Sequence, residues 1–375
     1  MVINLYATVN SLIEFLEYFI YIVFLSQTLF LIVIGFGLKK VMKPVTSNKF
    51  FDGVSVIIAA KDELENLTKY LKSWVGQDYP HFEIIIVNDR SIDGTGKYLD
   101  SLIYPNLKVF HVDNSESSGK KGALIRGIKE AKFEKLFFTD ADCFPSSSST
   151  LSKMVSGFKN ERNIVLGGVP VVSGRGFIQN LIGFDNIYTN SQYLGLASIG
   201  IPYMGVGRNL LYTKSVFESV NGFENNKDLK FGDDDLFVNQ AAIKNNTAIV
   251  LDPEALVYSN GPFSFRSWIG QKTRHVKASP RYRLRDKILL GVWNGGQLLI
   301  PVFFFSLFIF PEFSFILFLL WGLRLVIQYF TLKKLFILYN QANLVRFLPI
   351  LDIGYSFFLI YLGIKAIKQK NIKWK

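Results

Sequence analysis

The 375-residue sequence predicts an α/β domain on a mostly parallel sheet, flanked by transmembrane helices. Three observations predict it. Apolar residues make up 49% of the chain, and the excess sits at the two ends. Between the ends, short apolar runs alternate with stretches at helical period, the pattern of strand–helix–strand units. Polar clusters follow directly on several of these runs, and the carboxyl ends of parallel strands are where such sheets bind ligands.

Tyr18 to Leu38 is 21 residues without a charge, about 31 Å as a helix and enough to cross a bilayer core. Glu14 and Glu17 precede it and no small-residue cleavage site closes it, so it reads as an anchor and not a signal peptide. Lys39, Lys40 and Lys43 follow, which by the positive-inside rule assigns the next domain to the cytosol. Residues 1–45 are therefore expected to form an N-terminal anchor, with 46–260 as the cytosolic domain.

Val54 to Ala60 is a continuous apolar run of the buried parallel-strand type. Asp62 to Gly76 follows at helical period, with Leu64, Leu67, Leu71 and Trp74 on one side. Phe82 to Val87, Leu107 to Val112 and Lys135 to Thr139 predict three more strands. A turn at Asp93-Gly94-Thr95 opens one intervening helix, and Gly122 to Ala131 forms the other. Beyond Pro145, Asn163 to Val172 and Asn209 to Tyr212 predict strands, and Phe177 to Leu196 and Leu236 to Lys244 predict helices.

Phe263 to Lys287 carries eight Lys/Arg against one Asp, and Phe263, Phe265, Trp268 and Ile269 interleave with them. That predicts a basic amphipathic segment at the membrane surface over 261–287, with its aromatics in lipid. Residues 288–375 are expected to be a transmembrane region. Ile288 to Phe310 is uncharged, Phe313 to Phe330 carries only Arg324, and Pro311-Glu312 makes a turn between them. The last run, Phe347 to Ile364, contains Pro349, Asp352 and Gly354, so four spans are expected with one broken or shallow. The whole reads as an integral protein of the cell (inner) membrane.

The net charge of +12 gathers beside the apolar segments, and no recognition-helix or zinc pattern is present, so nucleic acid is not an expected partner. Cys143 is the single cysteine, which excludes an intrachain disulfide. His81, His111 and His275 have no metal-ligand spacing, and neither a Gly-x-Ser-x-Gly nor a Walker-type loop occurs.

Five constellations remain. Asp140-Ala141-Asp142 follows a strand, and two carboxylates so spaced can share Mg²⁺ or Mn²⁺ with phosphates completing the shell; a helix cap is the alternative. Asp233-Asp234-Asp235 packs three carboxylates that repel, so one needs a cation or a raised pKa, which suits a general base; the alternative is an acidic first helical turn. Asp89, at the end of the second strand, can accept from a uracil N–H or a ribose hydroxyl, or cap the next helix. Lys120 and Lys121 place cations at a helix start, where an anion such as phosphate would compensate them against the dipole; a solvated Lys pair is the alternative. In Gln271-Lys272-Thr273-Arg274-His275, the fork of Arg274 matches a leaving diphosphate.

In this order the segments are similar to the family 2 glycosyltransferases, inverting enzymes with a GT-A fold that include membrane-bound polysaccharide synthases and ceramide glucosyltransferases. The resemblance runs from Val54 to His275. It is carried by Val54 to Glu63, Asn88 to Thr95, Gly119 to Leu124, Thr139 to Asp142, Gly232 to Leu236 and Gln271 to His275. It implies that Asp89, Glu63 and Lys120 contact the nucleotide, and that Asp140 and Asp142 hold the diphosphate and metal. It puts Gln271 and Arg274 at the donor, and Asp233 as the base with Asp234 as the alternate. Two positions depart from the pattern: Gly232 stands where an acidic residue is usual, and His275 stands where Trp ends a Gln-x-x-Arg-Trp motif.

The expected activity is metal-dependent transfer from a nucleotide-sugar, a UDP-sugar first, to a hydroxyl of a membrane lipid or lipid-linked glycan. A processive polysaccharide synthase, a membrane nucleotidyltransferase and a non-catalytic subunit that binds nucleotide-sugar are the alternatives.

Overall fold

A computed structural model describes residues 2–44, 52–113, 119–159, 161–262, 264–301, 303 and 314–368. The chain opens with α1 (Val2–Val41), followed by β1 (Val54–Ala60), α2 (Leu64–Val75), β2 (Phe82–Asn88), α3 (Thr95–Asp100) and β3 (Leu107–His111). Next come α4 (Lys120–Glu130), β4 (Lys135–Asp140), β5 (Cys143–Pro145), α5 (Thr150–Val155), β6 (Ile164–Gly167), β7 (Val171–Val172) and the long α6 (Phe177–Ser198). The second half holds β8 (Leu210–Thr213), α7 (Lys214–Ser219), α8 (Asp235–Ala241), β9 (Thr247–Val250) and β10 (Val257–Asn260). It ends with α9 (Phe265–Ala278), α10 (Leu284–Leu298), α11 (Ser314–Leu338) and α12 (Leu348–Lys368).

Seven strands form one sheet in the order β3-β2-β1-β4-β8-β6-β9, all parallel except β8, which runs antiparallel to both neighbours. The period-2 alternation of β1 sorts its side chains to two cores. Val54, Val56 and Ile58 pack with Leu67, Leu71 and Trp74 of α2. Ile57 and Ala59 face the other way, onto Ala123, Leu124 and Ile128 of α4. Gly127 lets α4 approach that closely, since a Cβ there would meet Ile57 Cγ2 at 2.7 Å. The stretch 163–172, expected as one strand, is two: after β6 the chain leaves the main sheet through Gly167, Gly168 and Pro170, and β7 joins a second sheet, β5-β10-β7.

Among the described residues, three segments are long and apolar enough to cross a membrane: Glu17–Val41, Phe315–Leu338 and Ala342–Lys368. The chain is thus membrane-associated. Leu31, Ile34 and Leu38 of α1 share a core with Leu332, Leu335 and Phe336 of α11 and with the buried face of α6, so the helices and the α/β domain are packed as one. The expected turn at Pro311-Glu312 and residues 302 and 304–310 of the run 288–310 lie outside the described residues.

The last run is not broken. α12 is a continuous helix of 21 residues. Pro349 falls in its first turn, where no intrahelical N–H is needed. Asp352 is neutralised by Arg324 of α11 at 2.8 Å, and Gln297, Gln328 and Ser356 complete the hydrogen bonding around the pair. The expected lipid contact of Trp268 and Ile269 is also corrected. Both are buried in protein, Trp268 stacked on Phe358 of α12 with ring centroids 3.7 Å apart. Phe265 remains partly exposed, and Phe263 lies outside the described residues.

Candidate active site

Parallel pairing aligns the carboxyl ends of three adjacent strands: Ala60 of β1 is opposite Asn88 of β2, and Ala59 is opposite Asp140 of β4. The polar residues that follow these strands therefore converge. A cavity of about 570 Å³ opens there, within the usual size of a small-molecule site. Glu63, Lys120, Asp140, Asp142, Asp233, Asp234, Gln271 and Arg274 all line it. The structure thus brings together segments separated by more than 200 residues.

Asp89 and Lys121 do not line the cavity. Asp89 is fully buried, and its carboxylate accepts from Arg90 Nε and Nη2 at 3.0 and 2.7 Å and from the Gly119 N–H at 2.9 Å. Gly119 precedes α4 with φ of +94°, so Asp89 fixes the entry to the helix that carries Lys120.

Lys120 Nζ lies 2.9 Å from Asp140 Oδ1 and 3.1 Å from Asp233 Oδ2. Protein carboxylates therefore compensate the cation at this helix start. Burial opposes the charge on Lys120, but Asp140, Asp233 and Asp234 outweigh it and hold the ammonium well above the ordinary lysine range. Lys121 points elsewhere, donating to the carbonyls of Asn226 and Leu229 at 2.6 and 3.1 Å, and so ties α4 to the loop before the second acidic cluster.

The three carboxylates of that cluster have different surroundings. Asp233 is buried, and burial raises its pKa against the opposing pull of Lys120. Asp234 caps α8, accepting from the N–H groups of Asp235 and Gly207 at 2.8 and 2.9 Å. Asp235 is buried in the cavity wall and accepts from the Tyr282 hydroxyl at 2.9 Å. Gly232 sits at φ +84°, the left-handed region that disfavours a side chain, and a Cβ would meet Leu236 Cδ1 at 2.5 Å. The turn geometry accounts for glycine at this position.

Asp140, Asp142 and Cys143 form a group whose ligand atoms lie within 4.8 Å of one another. The pKa of Asp142 is raised by burial and by the charge of Asp140. Burial keeps the Cys143 thiol protonated, and it donates to Asp142 Oδ1 at 3.3 Å. The donor set that remains is two carboxylates, which fits a hard divalent cation such as Mg²⁺ or Mn²⁺.

Arg208 also lines the cavity, beside Asp142 and Asp234, and its Nη1 donates to Ser259 Oγ of β10. Sequence reasoning missed it. The available signal was a lone cation after Gly205 and Gly207, directly before a short apolar strand. Lys230 and Phe231, just before the acidic cluster, were missed as well.

A mostly parallel sheet that gathers acidic residues at adjoining strand ends is a fold of the GT-A type. The Glycosyl transferase family 2 model matches residues 55–219, and the Glycosyl transferase family group 2 model matches residues 140–339, more than half of the chain. The chain belongs to the family 2 glycosyltransferases. The poly-beta-1,6-N-acetyl-D-glucosamine synthase of Staphylococcus epidermidis is 28% identical over 250 residues, 63% of this chain and 56% of that protein. The Staphylococcus aureus synthase of the same name is 30% identical over 128 residues, 34% of this chain and 30% of its own length. The chain thus matches less than two thirds of either relative. A mannosyltransferase from Pyrobaculum calidifontis, solved in complex with GDP-Man and Mn²⁺, shares the fold with a TM-score of 0.62 at 18% identity, over 95% of this chain and 100% of that one.

Proposed function

We propose that the chain is an inverting glycosyltransferase that moves a sugar from a nucleotide-sugar to a hydroxyl of a membrane-associated acceptor, a lipid or lipid-linked glycan. The observation that supports this best is that one cavity holds both acidic clusters, with the buried Asp233 and the Asp140/Asp142 pair bridged by Lys120. A UDP-sugar is the first choice of donor.

Asp233 is the base: its carboxylate takes the proton of the acceptor hydroxyl, whose oxygen attacks the anomeric carbon as the bond to the diphosphate oxygen breaks on the opposite face. Asp234 is the weaker candidate, because both of its oxygens already accept backbone N–H groups. Arg274 and Lys120 face the leaving diphosphate and offset its charge, and Gln271 offers it an amide N–H. Asp140 and Asp142 would hold Mg²⁺ or Mn²⁺, which would neutralise the diphosphate further. Glu63 borders the nucleotide end of the cavity, its carboxylate braced by Asn66 Nδ2 at 2.5 Å. Asp89 contributes from below by setting the start of α4, and a nucleotide hydroxyl or N–H would reach its carboxylate by displacing Arg90.

The domain organisation follows the same reading. Residues 1–45 anchor the chain, 46–260 form the transferase domain, 261–287 border the membrane and 288–375 return to it. Lys39, Lys40 and Lys43 argue for a cytosolic transferase domain in the cell membrane.

The test is a panel of nucleotide-sugars, UDP-N-acetylglucosamine and GDP-mannose among them, incubated with membrane lipid extract and analysed by mass spectrometry. A glycosylated lipid and a released nucleoside diphosphate are expected. Pyrophosphate as the product would overturn the reading in favour of a nucleotidyltransferase. A second reading, a processive synthase, is favoured by the names of the two staphylococcal relatives. Product length separates the two: a single added sugar supports transfer, and a ladder supports polymerisation.

A further inference from the structure

Asp185 on α6 belongs to no acidic cluster and does not line the cavity, yet it is a carboxylate only 3% exposed. Three side chains from two other helices converge on it. Trp268 Nε1 donates to Oδ2 at 3.0 Å, Lys272 Nζ lies 2.7 Å from the same oxygen, and the Tyr355 hydroxyl donates to Oδ1 at 2.9 Å. Trp268 and Lys272 are four residues apart on α9 and so share one face. Tyr355 comes from α12. The same α9 face is closed by the stacking of Trp268 on Phe358 and by a hydrogen bond from Lys272 to Thr189 Oγ1 at 3.3 Å. The adjoining face of α9 presents Gln271, Arg274 and His275 to the cavity.

We propose that Asp185 is a positioning residue that sets the rotation of α9 against the membrane helix α12 and thereby places Gln271 and Arg274 over the donor. A helix with one polar face toward a ligand needs its register fixed from another side, because apolar packing alone tolerates sliding. A buried carboxylate that accepts a charged and two neutral donors is directional, and it leaves the partly buried Lys272 ammonium uncompensated when it is removed. Asp185 is therefore built into the site through α9 and not through substrate. The inference rests on the proposed role of Gln271 and Arg274, and the experiment separates the two.

Asp185→Asn keeps the shape and removes the charge. It should lower kcat/KM for sugar transfer about a hundredfold, the scale for an ångström of misplacement in a reacting site. In a Gln271→Ala/Arg274→Ala background the same substitution should cost little more, since Asp185 acts through those two groups. A nitroxide on Val276→Cys, an exposed position on α9, reads the helix directly, and labelling there is selective because Cys143 is buried. Asp185→Asn should increase the mobility of that label. An immobile label, or losses that add in full, would overturn the proposal. If Arg274→Ala alone leaves transfer intact, the role given to Arg274 is wrong, and the label still decides whether Asp185 holds α9. Should Asp185→Asn not fold, Tyr355→Phe removes one donor from the α12 side and is read by the same label.

Discussion

At the scale of single residues, the carboxylates 233–235 divide by what each one touches. Asp233 meets Lys120 in the cavity, Asp234 caps a helix, and Asp235 anchors Tyr282. Asp233→Asn is expected to lower kcat by about 10²- to 10⁴-fold, the range for a lost general base, with nucleotide binding by calorimetry nearly unchanged. Retained transfer would remove Asp233 from the mechanism. Its pH dependence has a definite sign. Burial raises the Asp233 pKa and Lys120 pulls it down, and a base must be ionised to work. The rate should therefore fall on acidification through a limb that lies above the ordinary aspartate value of about 3.9. Lys120→Met removes the opposing cation, raises the pKa further and should move that limb to higher pH, besides slowing the reaction. A limb that stays or moves to lower pH would point to a different base. Chelation with EDTA should stop turnover, and Mg²⁺ or Mn²⁺ should restore it, if the carboxylate pair works as proposed.

At the scale of elements, α4 is the one most tightly specified. Its start is fixed by Asp89 through Gly119, its second residue reaches the loop at 226–229, and its middle lies on β1 at Gly127. Gly127→Val would drive two methyl groups into the space of Ile57. Overpacking of this kind costs about 1–3 kcal/mol and outweighs the gain in helix propensity over glycine, so the midpoint of thermal unfolding should fall. An unchanged midpoint would mean that α4 can back away from the sheet. Because the same helix carries Lys120, transfer activity should fall with it.

At the scale of the whole molecule, the membrane helices are joined by charge as well as by apolar packing. Arg324 and Asp352 are both buried and pair across α11 and α12, and Gln297 of α10 bonds to both. Arg324→Leu would leave the buried Asp352 without its counter-ion and should destabilise the detergent-solubilised protein by about 3–5 kcal/mol. The double variant Arg324→Leu/Asp352→Leu removes both charges and should recover much of that loss, as read by thermal unfolding. Equal stability of the single and double variants would argue against the pair as the joint of these helices.

The sequence by itself determined the class of fold and most of the cavity wall. Periodicity is local, so strands such as Val54–Ala60 and the helix at 177–196 were legible, and so was the position of Asp140 at a strand end. The carboxyl ends of parallel strands must gather, which is why short motifs in chain order implied one site. Only the tertiary structure decided which groups meet. Lys120 between Asp140 and Asp233, Arg208 in the wall, Asp185 beneath α9, and Arg324 opposite Asp352 are all pairings across the chain. The continuity of α12 depended on one of them: Asp352 looked like a break until its counter-ion was in place. Trp268 and Ile269 were misassigned to lipid for the same reason, since an apolar stripe states that it will be buried and not against what. A side chain's chemistry is local, but its partner is set by topology, and the partner decides whether a carboxylate is a base, a cap or a clamp.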